Sequence, residues 1–538
     1  RDPAVDWEAR VPHFPVKLRD YLDEEGESAH VVRGPSRWTP EEASAFDEAV
    51  QLGAVRRCDG EQKIVSPVFV VAQGKKLRLI FDLRTLNSRC RPPPHFELDT
   101  VLKVPAYLAA YPRDCLAAKI DLSRAYWNIP VSEDSRPFLC CFGPDGQVYE
   151  WTCLPFGFSH APSIFQAVSS CFRDAWRACG VHVMVYIDDF VFFNSDVDRH
   201  LEVMEIVIED LLAAGWPLAP GKCAVAPLPN VTYLGLMIDL VGRTFKLPDE
   251  KVQQIAVDAA ALLETRRFGL VSLGVLESFA GRANFARLIL PRAGAFLAHT
   301  YRMVASGLPR QHVLFSEDPM YDAMRIPHPA YRRTAATAAL MCRISVEVAE
   351  ELMWWRDTAP LRLERPVPWY RLAVARVWSS HGAQVGRAPV LEGRSDASES
   401  GIGASWVWGR GPVEWMSDLL PPEFRGCSST ARELYGAARL VEALPCVPPG
   451  SVVRIVLDSQ CAVATASGGR ACIGSVAAAR RLDAELERRE IEAVFEWMPR
   501  EYLGPEDAAS RHAMNDPSNA SVPRQVMSVL CQWAFGEG

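Results

Sequence analysis

Two sets of carboxylates are the residues of this chain best suited to chemistry. In the first, Asp121 closes the short apolar run Ala117-Ala118-Lys119-Ile120. Asp188 and Asp189 stand side by side between two apolar runs in residues 181–193, VHVMVYIDDFVFF. Adjacent carboxylates repel each other, and apolar surroundings raise the cost of their charge. A divalent cation relieves both problems, and hard carboxylate oxygens suit Mg²⁺. Two such ions about 4 Å apart can activate a hydroxyl and stabilise a leaving pyrophosphate. A surface β-turn built on Asp-Asp is the alternative, although Val and Phe on both sides are unusual company for one.

The second set is Asp396, Glu433, Asp458 and Asp507, separated by 37, 25 and 49 residues. Three of them have an ordinary helix-end explanation. Thr430 and Glu433 have capping-box spacing, Asp458 could cap a helix over 459–466, and Asp507 could be a first-turn acid. Taken together, four acids can hold two Mg²⁺ ions and hydrolyse a phosphodiester with metal-activated water.

The elements that would position the first set read as α+β over about 56–240. Residues 65–72 and 77–82 form a hairpin around Gln73-Gly74-Lys75-Lys76. Residues 117–121 are a strand, 161–179 a helix, 181–193 a buried hairpin with the acids at its tip, 199–214 a helix and 231–238 a strand. Thr39-Pro40-Glu41-Glu42 reads as a helix start. From 248 to 356 the pattern is helical, and residues 278–316 hold Arg282, Arg287, Arg292, Arg302 and Arg310 with no acid. A second α/β pattern starts near 391: strands at 402–408, 412–416, 451–458 and 491–498, and helices at 430–443, 475–489 and 505–513.

Tyr186-Ile187-Asp188-Asp189 resembles the Y-x-D-D box of reverse transcriptases. The blocks around it follow the order of that family: Ser66-Pro67-Val68-Phe69, Leu77-Arg78-Leu79-Ile80-Phe81-Asp82, Ile120-Asp121-Leu122-Ser123-Arg124-Ala125-Tyr126, Leu154-Pro155-Phe156-Gly157-Phe158, Phe165-Gln166 and Tyr233-Leu234-Gly235. The later acids resemble a ribonuclease H: Asp396-Ala397-Ser398 before Gly401-x-Gly403, Arg432-Glu433-Leu434, Leu457-Asp458-Ser459 and Asp507-Ala508-Ala509-Ser510-Arg511. The resemblance implies a multidomain α+β right-hand polymerase (fingers, palm and thumb) followed by an α/β ribonuclease H-like domain. Within the family the chain is most similar to DIRS-type retrotransposons, through Ser123-Arg124-Ala125-Tyr126, Ile129-Pro130-Val131, Gly235-Leu236-Met237-Ile238-Asp239, Leu247-Pro248 and Trp354-Trp355.

Roles follow from the resemblance alone. Asp121 and Asp188 are the main metal ligands, the Leu122 carbonyl assists, and Asp189, in the same group, lies beside the primer 3′-hydroxyl. Asp396, Glu433, Asp458 and Asp507 are the metal-binding acids of hybrid cleavage. Each active site takes two Mg²⁺, with Mn²⁺ as a substitute. Arg78 meets the incoming triphosphate, as does Lys75 or Lys76. Tyr126 excludes a ribose 2′-hydroxyl, and Phe156 packs near the nascent base pair. Leu234 and Gly235 grip the primer, and Lys222 occupies the turn before them. The five arginines suit the template–primer backbone. Many ribonucleases H carry a mobile His before the last Asp. Here that stretch is Trp497-Met498-Pro499-Arg500-Glu501, with Arg500 as the candidate substitute.

At ~150 residues per domain, 538 residues allow three or four domains. The boundaries expected are an N-terminal extension (1–55), fingers and palm (56–245), helical thumb (246–356), linker (357–390), ribonuclease H-like domain (391–515) and tail (516–538). No run of 18 apolar residues occurs, so no membrane span and no membrane partner is expected. The chain starts at Arg1 without a leader segment and is expected to be a piece of a longer product. A net charge of −8 argues against nucleic-acid binding by bulk charge, but not against a local basic channel. The 15 scattered cysteines contain no C-x-x-C pair and read as reduced, mostly buried thiols of an intracellular protein, cytoplasmic or nuclear.

The function expected is RNA- and DNA-directed DNA synthesis with ribonuclease H activity. Its partners are an RNA template, a DNA primer, their RNA/DNA hybrid and dNTPs, with an element-encoded recombinase as a further one. Two rivals stand beside it: a domesticated, catalytically silent RNA-binding scaffold, and an RNA–protein complex primed by its own structured RNA.

Overall fold

A computed structural model describes residues 15–22, 30–31, 38–73, 76–108, 115–306, 340–369, 391–469 and 471–515. The chain divides into two compact units. One comprises Arg1–Val104, Ala110–Leu234 and Ile238–Val241, and the other Pro105–Ala109, Gly235–Met237 and Gly242–Gly538.

The first unit opens with helix α1 (Pro40–Gln51). Its start is the one expected at Thr39, closed by a capping box: the Thr39 hydroxyl accepts from the Glu42 N–H, and the Glu42 carboxylate accepts from the Thr39 N–H. Strands β1 (Val68–Gln73) and β2 (Lys76–Phe81) form the expected antiparallel hairpin.

A four-stranded sheet carries the first acid set. Strand β3 (Leu116–Asp121) lies next to β5 (Asp189–Asn194), which pairs with β4 (His182–Tyr186), while β6 (Ala224–Leu228) flanks β3 on its other side. Helix α2 (Ala161–Ala178) begins with Pro162 in its first turn and buries Phe165, Ser169, Phe172 and Trp176, the spacing of one helical face. Helix α3 (Val197–Ala213) is capped by Asp196, whose carboxylate accepts from the Arg199 N–H at 2.7 Å. Phe190, Val191, Phe192 and Phe193 are all fully buried, so β5 is covered on both faces. The stretch 231–238, expected as one strand, is two: β7 (Asn230–Tyr233) and β8 (Leu236–Asp239). Leu234 at φ +47° and Gly235 at φ +82° turn the chain between them, a left-handed conformation that no strand sustains.

The second unit begins with helices α4 (Asp249–Phe268), α5 (Leu273–Ala286), α6 (Ala298–Ser306) and α7 (Val346–Asp357). The expected irregular linker over 357–390 does not begin at 357. Helix α8 (Ala359–Leu363) and the short strand Val367–Pro368 occupy that stretch because Leu363, Val367 and Trp369 bury themselves. Residues 370–390 and 516–538 lie outside the described residues.

A five-stranded sheet follows, with strands β9 (Leu391–Ala397), β10 (Gly401–Trp408), β11 (Val413–Leu419), β12 (Val452–Leu457) and β13 (Glu492–Trp497) in the order β11-β10-β9-β12-β13. The first three pair antiparallel, and β9–β12 and β12–β13 pair parallel. The parallel pairs need helical crossovers. These are α9 (Ser429–Ala443), then α10 (Gln460–Ala466) and α11 (Val476–Arg488), and α12 (Gly504–Asn515) closes the unit. Gly403 makes that closure feasible: a Cβ there would lie 1.9 Å from the Glu506 carbonyl oxygen and 2.6 Å from the Ser510 nitrogen on α12.

Two sequence expectations need qualification. The arginines of the 278–316 run, expected to suit a template–primer backbone, are in part tied to partners within the protein. Arg282 pairs with Asp258 at 2.6 Å, and Arg292 with Asp483 at 3.0 Å. The guanidinium of Arg287, lowered in pKa by burial, donates to Asn284 at 2.9 Å and to the Gly468 carbonyl. Gly468 and Asp483, which meet Arg287 and Arg292, come from nearly 200 residues downstream, where a local charge count cannot see them. Arg310 lies outside the described residues. The described cysteines are free but not mostly buried: Cys179, Cys446, Cys461 and Cys472 are exposed. Among the described residues no helix is long and apolar enough to cross a membrane.

Candidate active sites

Strand pairing assembles the first acid set. In the antiparallel register of β5 on β3, Asp189 stands directly opposite Asp121, and Asp188 occupies the turn before β5. The turn is tight: Ile187, a β-branched residue, sits at φ +57°. Two side chains of α2 hold it there. The Gln166 carbonyl oxygen accepts from the Ile187 N–H and the Ser169 hydroxyl donates to the Ile187 carbonyl, each at 2.7 Å. Ser169 was not singled out in the sequence, and Gln166 appeared only as a motif letter. Their signal is the i, i+3 spacing on a helix that must face the turn.

The carboxylates here have lysine partners. Lys222 Nζ lies 2.8 and 3.2 Å from the two oxygens of Asp121, and this hydrogen bond raises the lysine pKa. Lys119 Nζ lies 2.8 Å from Asp189. Asp188 is pushed above the ordinary carboxylate range, by burial first and then by Asp189 and Asp121. Leu122 is buried and bridges to Leu218. Tyr126 packs on Phe156 and Phe165, with ring centroids 5.0 and 5.1 Å apart, while Phe156 remains 38% exposed. Burial, with Asp188 and Tyr186 nearby, pushes the Tyr126 phenol up to about 12.

Site residues foreseen elsewhere are placed less closely. Lys76 and Arg78 are on β2 opposite Gln73 and Val71; their side chains lie outside the described ones. Gly235 belongs to the second unit, where its carbonyl accepts from Lys251 Nζ at 3.1 Å.

The second acid set converges more tightly. Oxygens of Asp396, Glu433 and Asp458 all lie within 4.8 Å of one another. Asp396 ends β9 and is 1% exposed; Glu433 projects from α9 and is 3% exposed; Asp458 follows β12. The helix-end explanations of Glu433 and Asp458 fail on geometry, whereas Asp507 does stand in the first turn of α12. The cap of α9 is Ser428 and that of α10 is Ser459, while Glu433 accepts from the Ala397 N–H of β9 at 3.0 Å. The other Glu433 oxygen is buried with no hydrogen-bond partner. Burial, with Asp458 and Asp507, raises Asp396 to about 6, and burial with Asp396 and Asp458 raises Glu433 well above its usual range. An orphaned, desolvated carboxylate oxygen facing two further acids is the donor set of a hard divalent cation.

Asp507 stands apart from this trio. Burial would raise its pKa, but Arg500 and Arg511 bond it and hold it below the ordinary range. Ser510 donates to Asp396 at 3.2 Å, and the Trp497 indole N–H donates to the Asp458 carbonyl at 2.9 Å. Neither residue was assigned a role from sequence.

Residues 72–238 match the family model described as reverse transcriptase (RNA-dependent DNA polymerase). Those residues are a reverse transcriptase domain. Its relatives are retroviral and pararetroviral polyproteins. The Gag-Pol polyprotein of Walleye dermal sarcoma virus is 29% identical over 192 residues, 35% of this chain and 10% of that protein. The Pro-Pol polyprotein of Simian foamy virus type 3 (strain LK3) is 31% identical over 192 residues, 35% of this chain and 15% of that protein. The enzymatic polyprotein of Cauliflower mosaic virus (strain D/H) is 25% identical over 221 residues, 38% and 30%. The chain thus spans from a tenth to under a third of these relatives' lengths. Two similar solved structures are foamy viral protease-reverse transcriptases. One is in complex with dsDNA (TM-score 0.47, 18% identity, 90% of this chain and 87% of that one), the other with an RNA/DNA hybrid (0.43, 16%, 91% and 78%).

Proposed function

We propose that this chain is an RNA- and DNA-directed DNA polymerase with ribonuclease H activity, copying retrotransposon RNA into DNA and removing the RNA strand. The observation that carries the reading is the register that sets Asp189 opposite Asp121 with Asp188 at the adjoining turn. Its partners would be an RNA template, a DNA primer, their hybrid and dNTPs, inside the cell where dNTPs are found. The blocks shared with DIRS-type elements support an origin in that group.

Asp121 and Asp188, with the Leu122 carbonyl, would hold divalent ions in the first pocket, and Asp396, Glu433, Asp458 and Asp507 in the second. Bound there, Mg²⁺ supplies Lewis-acid activation of the attacking hydroxyl or water and stabilises the leaving oxygen. The residues do the positioning. Gln166 and Ser169 hold the Ile187 turn, so Asp188 keeps its place. Asp189 lies beside the primer end. The Arg78 guanidinium presents a planar donor fork to the triphosphate. Tyr126, buttressed by Phe156 and Phe165, crowds a 2′-hydroxyl and favours dNTPs. In the second pocket Arg500 holds Asp507 ionised and, unlike a His, carries its charge at every working pH.

The test is Mg²⁺-dependent primer extension by the purified chain on RNA and DNA templates, with hybrid cleavage followed in parallel. Extension on both templates and cleavage of the RNA strand are expected. RNA binding with neither reaction under any divalent ion would support the silent scaffold instead.

A further inference from the structure

Lys119 is two residues before Asp121 on β3, so both side chains leave the same face of the strand. Across the antiparallel pair, Asp121 faces Asp189 and Lys119 faces Val191. The Lys119–Asp189 contact is therefore a diagonal cross-strand pair, closed at 2.8 Å, with the side chains only 20% and 23% exposed. Lys222 does something different. It comes from a loop, is 59% exposed and pairs with Asp121, so it can swing away when that carboxylate takes a cation. Lys119 is anchored in the strand and is flanked by buried Ala118 and Ile120.

We propose that Lys119 is a positioning residue that neutralises Asp189 and thereby sets how tightly the first acidic pocket holds a divalent cation. The inference rests on the polymerase reading of that pocket. Charge alone orders the variants. The parent pair sums to zero, Lys119→Met leaves one extra negative charge beside the pocket, Asp189→Asn leaves one extra positive charge, and the double variant returns to zero.

The experiment counts Mn²⁺ bound to the full-length chain by electron paramagnetic resonance. All proteins carry Glu433→Gln so that the second pocket is silenced. Lys119→Met should tighten half-saturation about tenfold, the order expected for one uncompensated charge near a cation in a partly solvated pocket. Asp189→Asn should weaken it by a similar factor. The double variant should lie within about twofold of the parent, because the two effects are one interaction. Lys119→Arg should behave as the parent. If Lys119→Met does not fold, the comparison of Asp189→Asn with the double variant decides alone. A folded Lys119→Met with unchanged Mn²⁺ affinity, or a double variant no different from Asp189→Asn, overturns the proposal. Absence of Mn²⁺ binding at this pocket in the parent would instead overturn the polymerase reading.

Discussion

The two acidic pockets solve one electrostatic problem in opposite ways. In the first, Asp121 and Asp189 each have a lysine within 2.8 Å, and the acids sit at the end of a strand pair beside solvent. In the second, Asp396 and Glu433 are buried with the half-buried Asp458 close beside them, and Arg500 is bonded to Asp507 instead. The first pocket is compensated by mobile or anchored ammonium groups. The second is compensated by taking up protons, as the raised pKa values of Asp396 and Glu433 indicate. A cation entering the first pocket competes with lysine; one entering the second competes with protons.

The largest expected effect separates the pockets outright. Asp188→Asn should lower primer extension by about a thousandfold, ~4 kcal/mol of transition-state stabilisation, and leave hybrid cleavage near the parent rate. Asp458→Asn should do the reverse. Gel analysis of both reactions from one preparation reads the pair, and loss of both activities in either variant would break the division.

Sugar selection sharpens the contrast, because Tyr126 packs on Phe156 and Phe165 close to Asp188 in the first pocket. Tyr126→Ala should cut the preference for dNTP over rNTP by on the order of tenfold to a hundredfold, measured as the ratio of kcat/KM values. Cleavage of the RNA strand should not change.

The pH dependence tests the claim about protons. Asp396 titrates near 6 in the folded chain and near 3.8 ordinarily. The folded state therefore binds the extra proton, and in the absence of metal this group adds stability as pH falls from about 6 toward 4. Mg²⁺ must displace that proton. Its stabilisation of the second unit, followed by calorimetry, should shrink as pH is lowered from 7 to 5. A constant Mg²⁺ increment across that range would contradict proton compensation.

The smallest effect concerns the orphaned Glu433 oxygen. In a chelator at alkaline pH, Glu433→Gln should stabilise the chain by about 1 kcal/mol, because the buried carboxyl must there either hold its proton or carry a poorly solvated charge, and the amide does neither. Chemical denaturation measures it, and no comparable gain is expected for Asp121→Asn, whose carboxylate is already paired.

Much of this arrangement was legible before any coordinates. Apolar runs broken by acids mark strand ends, so Asp121, Asp188 and Asp458 could be set at the tips of strands, whereas Asp396, expected to open a strand, lies near the end of one. The helix start at Thr39 could be read from four residues. What could not be read is whatever depends on register or distant partners. Lys119 is one letter in an apolar run until β5 pairs with β3 and brings Asp189 across from it. Arg287 and Arg292 read as arginines free to meet a nucleic-acid backbone until Gly468 and Asp483 arrive from far along the chain. The Leu234–Gly235 turn is invisible because the flanking residues all suit a strand.

The central claim is that two separate carboxylate pockets each bind divalent ions. Anomalous diffraction from crystals of the full-length chain grown with Mn²⁺ tests it most directly. The account predicts manganese peaks at Asp121–Asp188 and, independently, at Asp396–Glu433–Asp458. A second pocket left without manganese at millimolar Mn²⁺ and neutral pH, with Glu433 still protonated, would contradict it.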